Sequence, residues 1–574
     1  MKSYIISFFM LFFSTYCLSQ SINGTVATED GPIPGVNIIN LNTGDGTMTD
    51  FDGNFILEDL SMGDEIEFSF IGFKTEKIIF DGQTDINISL VLTSENLDEV
   101  ILTGYGSQTR RKLTSSVSKI EGDDLANTAL PTIDAALQGR AAGVQITQGS
   151  ALSGAATKIR IRGANSAVAS SDPLFVVDGI VVESGGFLDN TGVGEFMVTD
   201  GGSNVLQSLN PNDIQSIEVL KDASATAIYG ARGSSGVILI TTKSGRSGKT
   251  QIDLTIDTGT SDLTRKLDMA NTDEYLTLAQ EAWYNDGNDP TKFWSDSGIL
   301  TNGLTRAEAL QNNTDWQEVA LRKGKSYRGN ISASGGDEKT KFFISGSFLD
   351  ENSIYEGNEY LKITTRTNLT HKLSDKFEIG TFMTYSYVDN SPVSNQNGLG
   401  RANSLLPIYP VFNEDGTYFD IQNNVLANIR LMDYNDKSRN FLSNWFINYD
   451  ISENLNFRTE FGINSLDSVT ETYRDALIDG NGIARATSIN TSRNSWNLKS
   501  QINYNKSFGK HNLDILAAVD VQKNRRIRSN VIGIGYSNSS QRTPIDAGQT
   551  DIGYSEQAYS FLSFLSRINY DFDG

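Results

Sequence analysis

The most constraining feature is a series of alternating segments that starts near Lys249 and runs to the last residues of the chain. Gln251–Gly259, Tyr327–Gly335, Lys341–Leu349, Tyr360–Leu373, Phe377–Tyr387, Phe441–Tyr449, Leu455–Gly462, Trp496–Tyr504, Leu513–Val521 and Tyr559–Tyr570 each alternate apolar with polar residues. A period of two puts one residue type on each face of a strand. Many segments carry aromatics near their ends, and all five Trp lie beyond residue 250. The connecting loops differ widely in length; the longest, from about Ser261 to Ser326, holds Trp283, Trp294 and Trp316. Dyad strands of about ten residues, with short turns on one side and long loops on the other, are the pattern of an outer-membrane barrel. A closed barrel pairs every backbone polar group in lipid. A soluble all-β protein with many hairpins shares the alternation, and periodicity alone leaves both readings open.

Composition narrows the chemistry. The 574 residues carry 70 Asp and Glu against 47 Lys and Arg, a net charge of -23. This excludes a nucleic-acid-binding body, which needs a basic surface. One Cys and two His rule out a disulfide framework and nearly rule out a zinc site. Asn285–Asp289 and Asp433–Asp436 lack the calcium-loop spacing, so no metal or cofactor is expected. His371 and His511 stand alone at strand ends, and no nucleophile–base–orienter set assembles. A glycosidase needs only two carboxylates, yet no pair is singled out. The expectation is a protein that is not an enzyme.

Residues 1–20 begin with Lys2 and an apolar run from Tyr4 to Phe13. The run is too short to span a bilayer and reads as a secretory signal, cut near Ser19 or Gln20. A buried helix and a lipidated Cys17 are the competing readings. Residues 21–92 hold six short alternating runs between Gly, Asp, Asn and Pro turns, the sign of a small β-sandwich. Residues 93–112 are a linker ending in Arg110, Arg111 and Lys112, with an extended stretch suited to pairing with a partner's sheet edge. Residues 113–245 mix helical and strand signals. Asp134–Gln138, Pro211–Ile214 and Ala223–Tyr229 read as helical; Gly139–Thr147, Thr157–Arg162, Leu174–Val182, Ile217–Leu220 and Gly236–Thr242 read as strands. Residues 246–574 are the barrel region. The fold class is all-β dominated: a small N-terminal β-sandwich, an α/β domain, and part of a transmembrane antiparallel β-barrel.

Five strings occur in order: DEVILTGYGSQTRRKLTSSVSKI (98–120), LQGRAAGVQIT (137–147), KIRIRGANS (158–166), DPLFVVDGI (172–180) and LNPNDIQSIEVLKDASATAIYGARGSSGVILITTKSG (209–245). They resemble the opening and plug segments of the SusC/RagA family of TonB-linked outer-membrane transporters. SINGTVATEDGPIPGVNIINLNTGDGTMTDFDGNF (21–55) resembles the carboxypeptidase-regulatory-like extension that precedes many such plugs.

The resemblance implies a plug inside a barrel of about 22 strands in the cell outer membrane, powered by TonB with ExbB and ExbD through a TonB box. It also implies a SusD-like surface lipoprotein as partner and a glycan or peptide as substrate. Carried onto this chain, the TonB box falls on Asp98, Glu99, Val100, Ile101, Leu102, Thr103, Gly104 and Tyr105, centred on Glu99–Thr103. Arg160 and Arg162 share one strand face beside Gly163 and are expected to pair with lumen carboxylates or within the plug. Asp178-Gly179 reads as a turn. Glu218, Lys221 and Asp222 are expected to anchor plug to barrel. Tyr229, Gly230, Arg232 and Gly233 form a helix stop and not a nucleotide loop, since no Lys-Ser/Thr follows the glycines. The expected function is TonB-dependent nutrient import. The alternatives are a siderophore- or cobalamin-type receptor, and a non-transporting binding or adhesion protein or truncated product. Ten strands fall short of the family's barrel, so the chain reads as a fragment or truncated product.

Overall fold

The computed structural model describes residues 20–572 except 29–30, 71–72, 74, 91–99, 103–106, 110–115, 127–131, 149–151, 156, 164–170, 183–204, 394–398, 537–539 and 541. The signal segment and Cys17 lie outside the described residues. The chain forms two compact units, Met1–Ile101 with Gln108–Leu113, and Leu102–Ser107 with Thr114–Gly574.

The first unit is a two-sheet sandwich. In one sheet Gln20–Thr28 pairs antiparallel with Asn54–Leu60 and parallel with Asp85–Ser89. The other runs Gly46–Met48, Asn37–Asn40, Glu65–Ser69, Glu76–Ile79. Their inward residues Ile22, Val26, Ile38, Phe55, Ile66 and Phe68 make one core. The six predicted runs are all strands, joined by the short pieces Gly31–Pro32 and Gly46–Met48. At the Asp50–Asn54 turn, Asp50 Oδ1 accepts from the amides of Asp52 and Asn54. Gly53 there has φ 76, and a Cβ would meet the Val26 carbonyl at 2.6 Å, so only glycine fits. Val100–Leu102 and Ser107–Thr109 form a separate two-stranded sheet.

The second unit begins with the plug. Its five-stranded sheet runs Val117–Glu121, Ile214–Leu220, Val237–Thr242, Leu174–Val177, Ile180–Val182. Val237–Thr242 lies in the middle and is buried along nearly its whole length, which is why it reads as a continuous apolar run. A ribbon of Val144–Gln148 and Thr157–Ile161 and the helices Gly122–Ala126 and Ile133–Leu137 close a core around Ile120, Leu125, Ile133, Phe175, Ile217 and Ile240. The helix expected over Ala223–Tyr229 is α-helical only to Thr226. It then tightens into a 3-10 form that bends at Gly230 (φ 60, ψ -148).

Ten strands form the wall: Gly248–Ser261, Gly324–Gly336, Thr340–Asn352, Glu359–Ser374, Phe377–Ser391, Met432–Ser452, Leu455–Arg474, Arg485–Phe508, His511–Ile534 and Gln549–Phe572. Each pairs antiparallel with the next in sequence. All ten alternating segments fall inside these strands, in order. The last five are longer than read, 20 to 24 residues. Pairing continues where the outward residues cease to be apolar, as at Arg439, Asp467 and Lys523, so the hydrophobic signal stops before the strand does.

The wall is inside out relative to a soluble sheet. Ile252, Leu254 and Ile256, then Ile363 and Leu369, then Trp496, Leu498 and Ile502, point outward and are exposed. Lys362, Thr364, Arg366 and Asn368, and Arg493, Ser495, Asn497, Lys499 and Gln501, alternate with them and are buried. Apolar-out and polar-in is the barrel pattern for lipid. Aromatics form two outward bands. Near the tight turns Phe377 packs on Tyr449 at 5.9 Å and His511 on Phe572 at 5.0 Å. Further up, Trp445, Phe461 and Trp496 follow one another at 6.1 and 6.4 Å. Opposite the tight turns, the helices Thr272–Asn285, Phe293–Asp296, Arg306–Gln311, Trp316–Ala320 and Val425–Arg430 pack into a cap over Leu276, Phe293, Trp316, Ile408 and Phe419. Among the described residues no helix is long and apolar enough to cross a membrane.

Candidate functional site: the plug against the inner wall

The site is built around the plug hairpin that joins Leu174–Val177 to Ile180–Val182. Its tip is Asp178-Gly179, with φ of 46 and 85. Parallel pairing to Val237–Thr242 fixes the hairpin, and the Asp178 amide donates to the Ile240 carbonyl at 3.0 Å. The Asp178 carboxylate accepts from the Thr242 amide at 3.0 Å and from its Oγ1 at 2.8 Å. It also pairs with Arg366 of the wall; the two side chains are only 7% and 2% exposed. Arg366 in turn donates to Thr384 Oγ1 at 2.8 Å. Asn444 of the wall donates to the Asp178 carbonyl at 2.7 Å.

Gly179 faces a second wall cluster. Glu460 is held by Lys499 at 2.6 Å and Arg458 at 2.5 Å. A Cβ on Gly179 would approach Glu460 Oε2 to 3.0 Å. Around this centre the plug touches the wall through other polar pairs. Asn330 accepts from Asn210 at 2.8 Å, Lys362 donates to the Leu209 carbonyl at 3.2 Å, and Asn440 donates to Ser208 Oγ at 3.1 Å. Arg232 donates to Gln522 and lies 4.9 Å from the Phe561 ring centre. Much of this seat is hydrogen-bonded, beside an apolar patch where Leu174, Val176 and Val181 of the plug cluster with Leu516 and Ala518 of the wall. Each such bond contributes only about 1 kcal/mol net, because water can replace the partner. Such an interface holds the plug in register and still permits its removal.

The predicted residues fall in several places. Val100, Ile101 and Leu102 form the short strand described above; Asp98, Glu99, Thr103, Gly104 and Tyr105 lie outside the described residues. Arg160 is exposed on the plug ribbon. Arg162 (φ 57, followed by Gly163 at φ 90) pairs with Asp222 at 2.5 Å. Lys221 Nζ donates to Ser118 Oγ and the Ala142 carbonyl, each at 2.5 Å. Lys221 and Asp222 therefore bond within the plug and not to the wall as expected, and Arg162 takes the within-plug one of its two expected pairings: they lie where the plug's edge strand starts, and their partners are plug backbone and side chains. Glu218 is 1% exposed, opposite Lys119 in the edge strand, and burial pushes its carboxyl up to about 7. Tyr229 is buried beside the Gly230 bend, and Gly233 packs on Thr226, where a Cβ would meet the carbonyl at 2.7 Å. His371 bonds Thr340 at 2.8 Å and His511 bonds Tyr570 at 2.7 Å, both at strand ends. Asp289 caps a 3-10 turn and Asp433 pairs with Arg542.

Sequence reading missed Arg366, Asn444 and the Glu460–Lys499 pair. Their signal was present: they are polar members of the alternation, on the face that cannot meet lipid.

A mixed plug seated on the polar inner face of an inside-out β-wall is the architecture of part of a plugged β-barrel. Residues 109–237 match the TonB-dependent Receptor Plug Domain family, and residues 22–102 match the CarboxypepD_reg-like domain. The chain is 32% identical to TonB-dependent receptor P26 of Formosa agariphila, over 96% of this chain and 54% of that protein. It is 29% identical to TonB-dependent receptor SusC of Bacteroides thetaiotaomicron, over 98% of this chain and 56% of that one. Among solved structures, the RagAB peptide importer in its open-open state shares the fold at a TM-score of 0.70 and 22% identity, covering 83% of this chain and 55% of that one. The ferric citrate transporter FecA follows at 0.51 and 11%, covering 80% and 54%. The chain carries the plug domain of TonB-dependent receptors and is similar to receptors of the SusC/RagA type, and it spans about half the length of the curated relatives it matches.

Proposed function

We propose that this chain is the plug-bearing part of an energised outer-membrane importer of nutrients, taking a glycan or a peptide. The observation that carries the reading is the seat of Asp178 on Arg366 and Asn444 of the wall. A polar, hydrogen-bonded plug closes the lumen and can be displaced at lower cost than an apolar one. TonB, with ExbB and ExbD, would engage Asp98–Tyr105 and deliver tension to the plug. A SusD-like lipoprotein would receive substrate on the side of the helical cap. Likeness to SusC and to the RagAB peptide importer supports the glycan-or-peptide class over a siderophore. The wall crosses a membrane only with its two edge strands paired, because open edges in lipid leave backbone groups unsatisfied. Uptake of labelled oligosaccharides and peptides by cells with and without the gene, each with and without a proton uncoupler, tests the reading. Gene- and energy-dependent uptake of one class is expected. Gene-dependent uptake that ignores the uncoupler would overturn it.

A further inference from the structure

Tension applied at Asp98–Tyr105 reaches the plug sheet at Ser116, just ahead of the edge strand Val117–Glu121. That spot carries a concentrated set of contacts. The Ser116 amide donates to Asp222 Oδ2 at 2.5 Å. The Ser116 carbonyl accepts from the Lys221 amide at 3.4 Å. Lys221 Nζ holds Ser118 Oγ at 2.5 Å, and Asp222 Oδ1 is braced by Arg162 at 2.5 Å. The hydrogen bond to Ser116 and the pairing with Arg162 hold the Asp222 carboxyl below its usual range.

The geometry of Asp222 is diverted from its ordinary use. It occupies the N-cap of Ala223–Thr226 with extended backbone, φ -90 and ψ 148. An aspartate there normally accepts the amides of its own first helical turn. Here its side chain makes no cap bond, and only its carbonyl accepts from Ala225 and Thr226. One carboxylate oxygen, Oδ2, instead fastens Ser116, just ahead of the edge strand, while Oδ1 takes Arg162. Arg162 braces the carboxylate through Oδ1, from a left-handed backbone conformation that a non-glycine residue adopts only under constraint.

We propose that Asp222, braced by Arg162, is a mechanical latch that sets how much tension must enter at Ser116 before the edge strand leaves the plug sheet. It is a positioning residue for transport and rests on the energised reading above. Beyond the latch the edge strand is held by five register pairs to Ile214–Leu220, from Val117–Leu220 to Glu121–Ser216. The latch lies at the loaded end of this row. Once it opens, the pairs meet the load from Val117 onward.

Two measurements on the receptor in its own outer membrane test this. In hydrogen exchange without TonB, Asp222→Ala is expected to speed the Val117–Glu121 amides by about tenfold or more, while Val237–Thr242 stays unchanged. Arg162→Ala, which leaves the Ser116 bond in place, is expected to give a smaller rise in the same amides. No rise in either variant, or an equal rise across the whole plug, overturns the latch. In uptake titrated with an uncoupler, Asp222→Ala is expected to need less proton-motive force for half-maximal transport. A purely structural role would lower uptake equally at every drive level, and that result also overturns it. If wild-type uptake proves indifferent to the uncoupler, the import reading fails, while the exchange result still decides whether the fastening exists.

Discussion

Asp178→Asn is the sharpest probe of the plug's seat. It replaces one oxygen by an amide nitrogen and keeps a residue type that tolerates the φ of 46 at this position. Backbone strain is thus not introduced. What changes is charge: Arg366, 2% exposed, loses its ion-pair partner while staying buried, with the buried Asp213 carboxyl still in electrostatic reach. Breaking one side of a buried pair costs about 3–5 kcal/mol. Thr384 Oγ1 and Thr242 Oγ1 still accept from the guanidinium, which places the loss near the lower bound, about 3 kcal/mol. That lowers the docked-to-undocked ratio at the hairpin by roughly 150-fold. Cys17 is the sole cysteine of the chain and lies in the segment read as a signal, so an introduced thiol can be followed alone. Ser208→Cys sits at the seat, against Asn440. Its maleimide labelling should accelerate by about two orders of magnitude when Asp178→Asn is added. Adding Arg366→Met should then slow it again, since the orphaned charge is gone. Labelling that changes less than about threefold (under 1 kcal/mol) would mean that the Asp178–Arg366 pair does not hold the hairpin.

Other consequences follow from the same geometry. Glu218 is protonated in the folded plug up to about pH 7 but ionises near its ordinary value once exposed. Plug stability should therefore fall as pH rises from about 4.5 to 7, by roughly 3 kcal/mol in all, and Glu218→Gln should flatten this dependence in urea titrations at several pH values. Gly179→Ala sets a Cβ against Glu460 at a positive φ, so the thiol of Ser208→Cys should label faster in that background, with a loss of about 1–3 kcal/mol. Val519→Arg places a charge on the lipid face and should reduce assembled receptor in outer-membrane fractions by an effect of about 2–4 kcal/mol, whereas Ser345→Arg, on the inner face, should disturb plug seating instead.

The sequence was most legible where one physical rule acts along the chain. Ten strands were readable because lipid demands a period-two apolar face, and Val237–Thr242 because both faces of a central strand are buried. The helical cap beyond Ser261 reads only as a long loop, although its start signals are local. Asn271 with Glu274 and Thr305 with Glu308 are capping boxes, a local signal three residues long. Pairings across the fold were not legible. Nothing near Arg162 indicates that Asp222, and not the wall, would receive it. Arg366 looks like any other polar residue of its strand until the plug hairpin is placed beside it.

On the proposed import mechanism, force entering through Asp98–Tyr105 opens the plug. The most direct test is energy-dependent uptake by a receptor lacking residues 98–105, with its outer-membrane level matched to wild type. Substrate should still bind at the surface while uptake is lost. Undiminished uptake at equal membrane levels would contradict that mechanism.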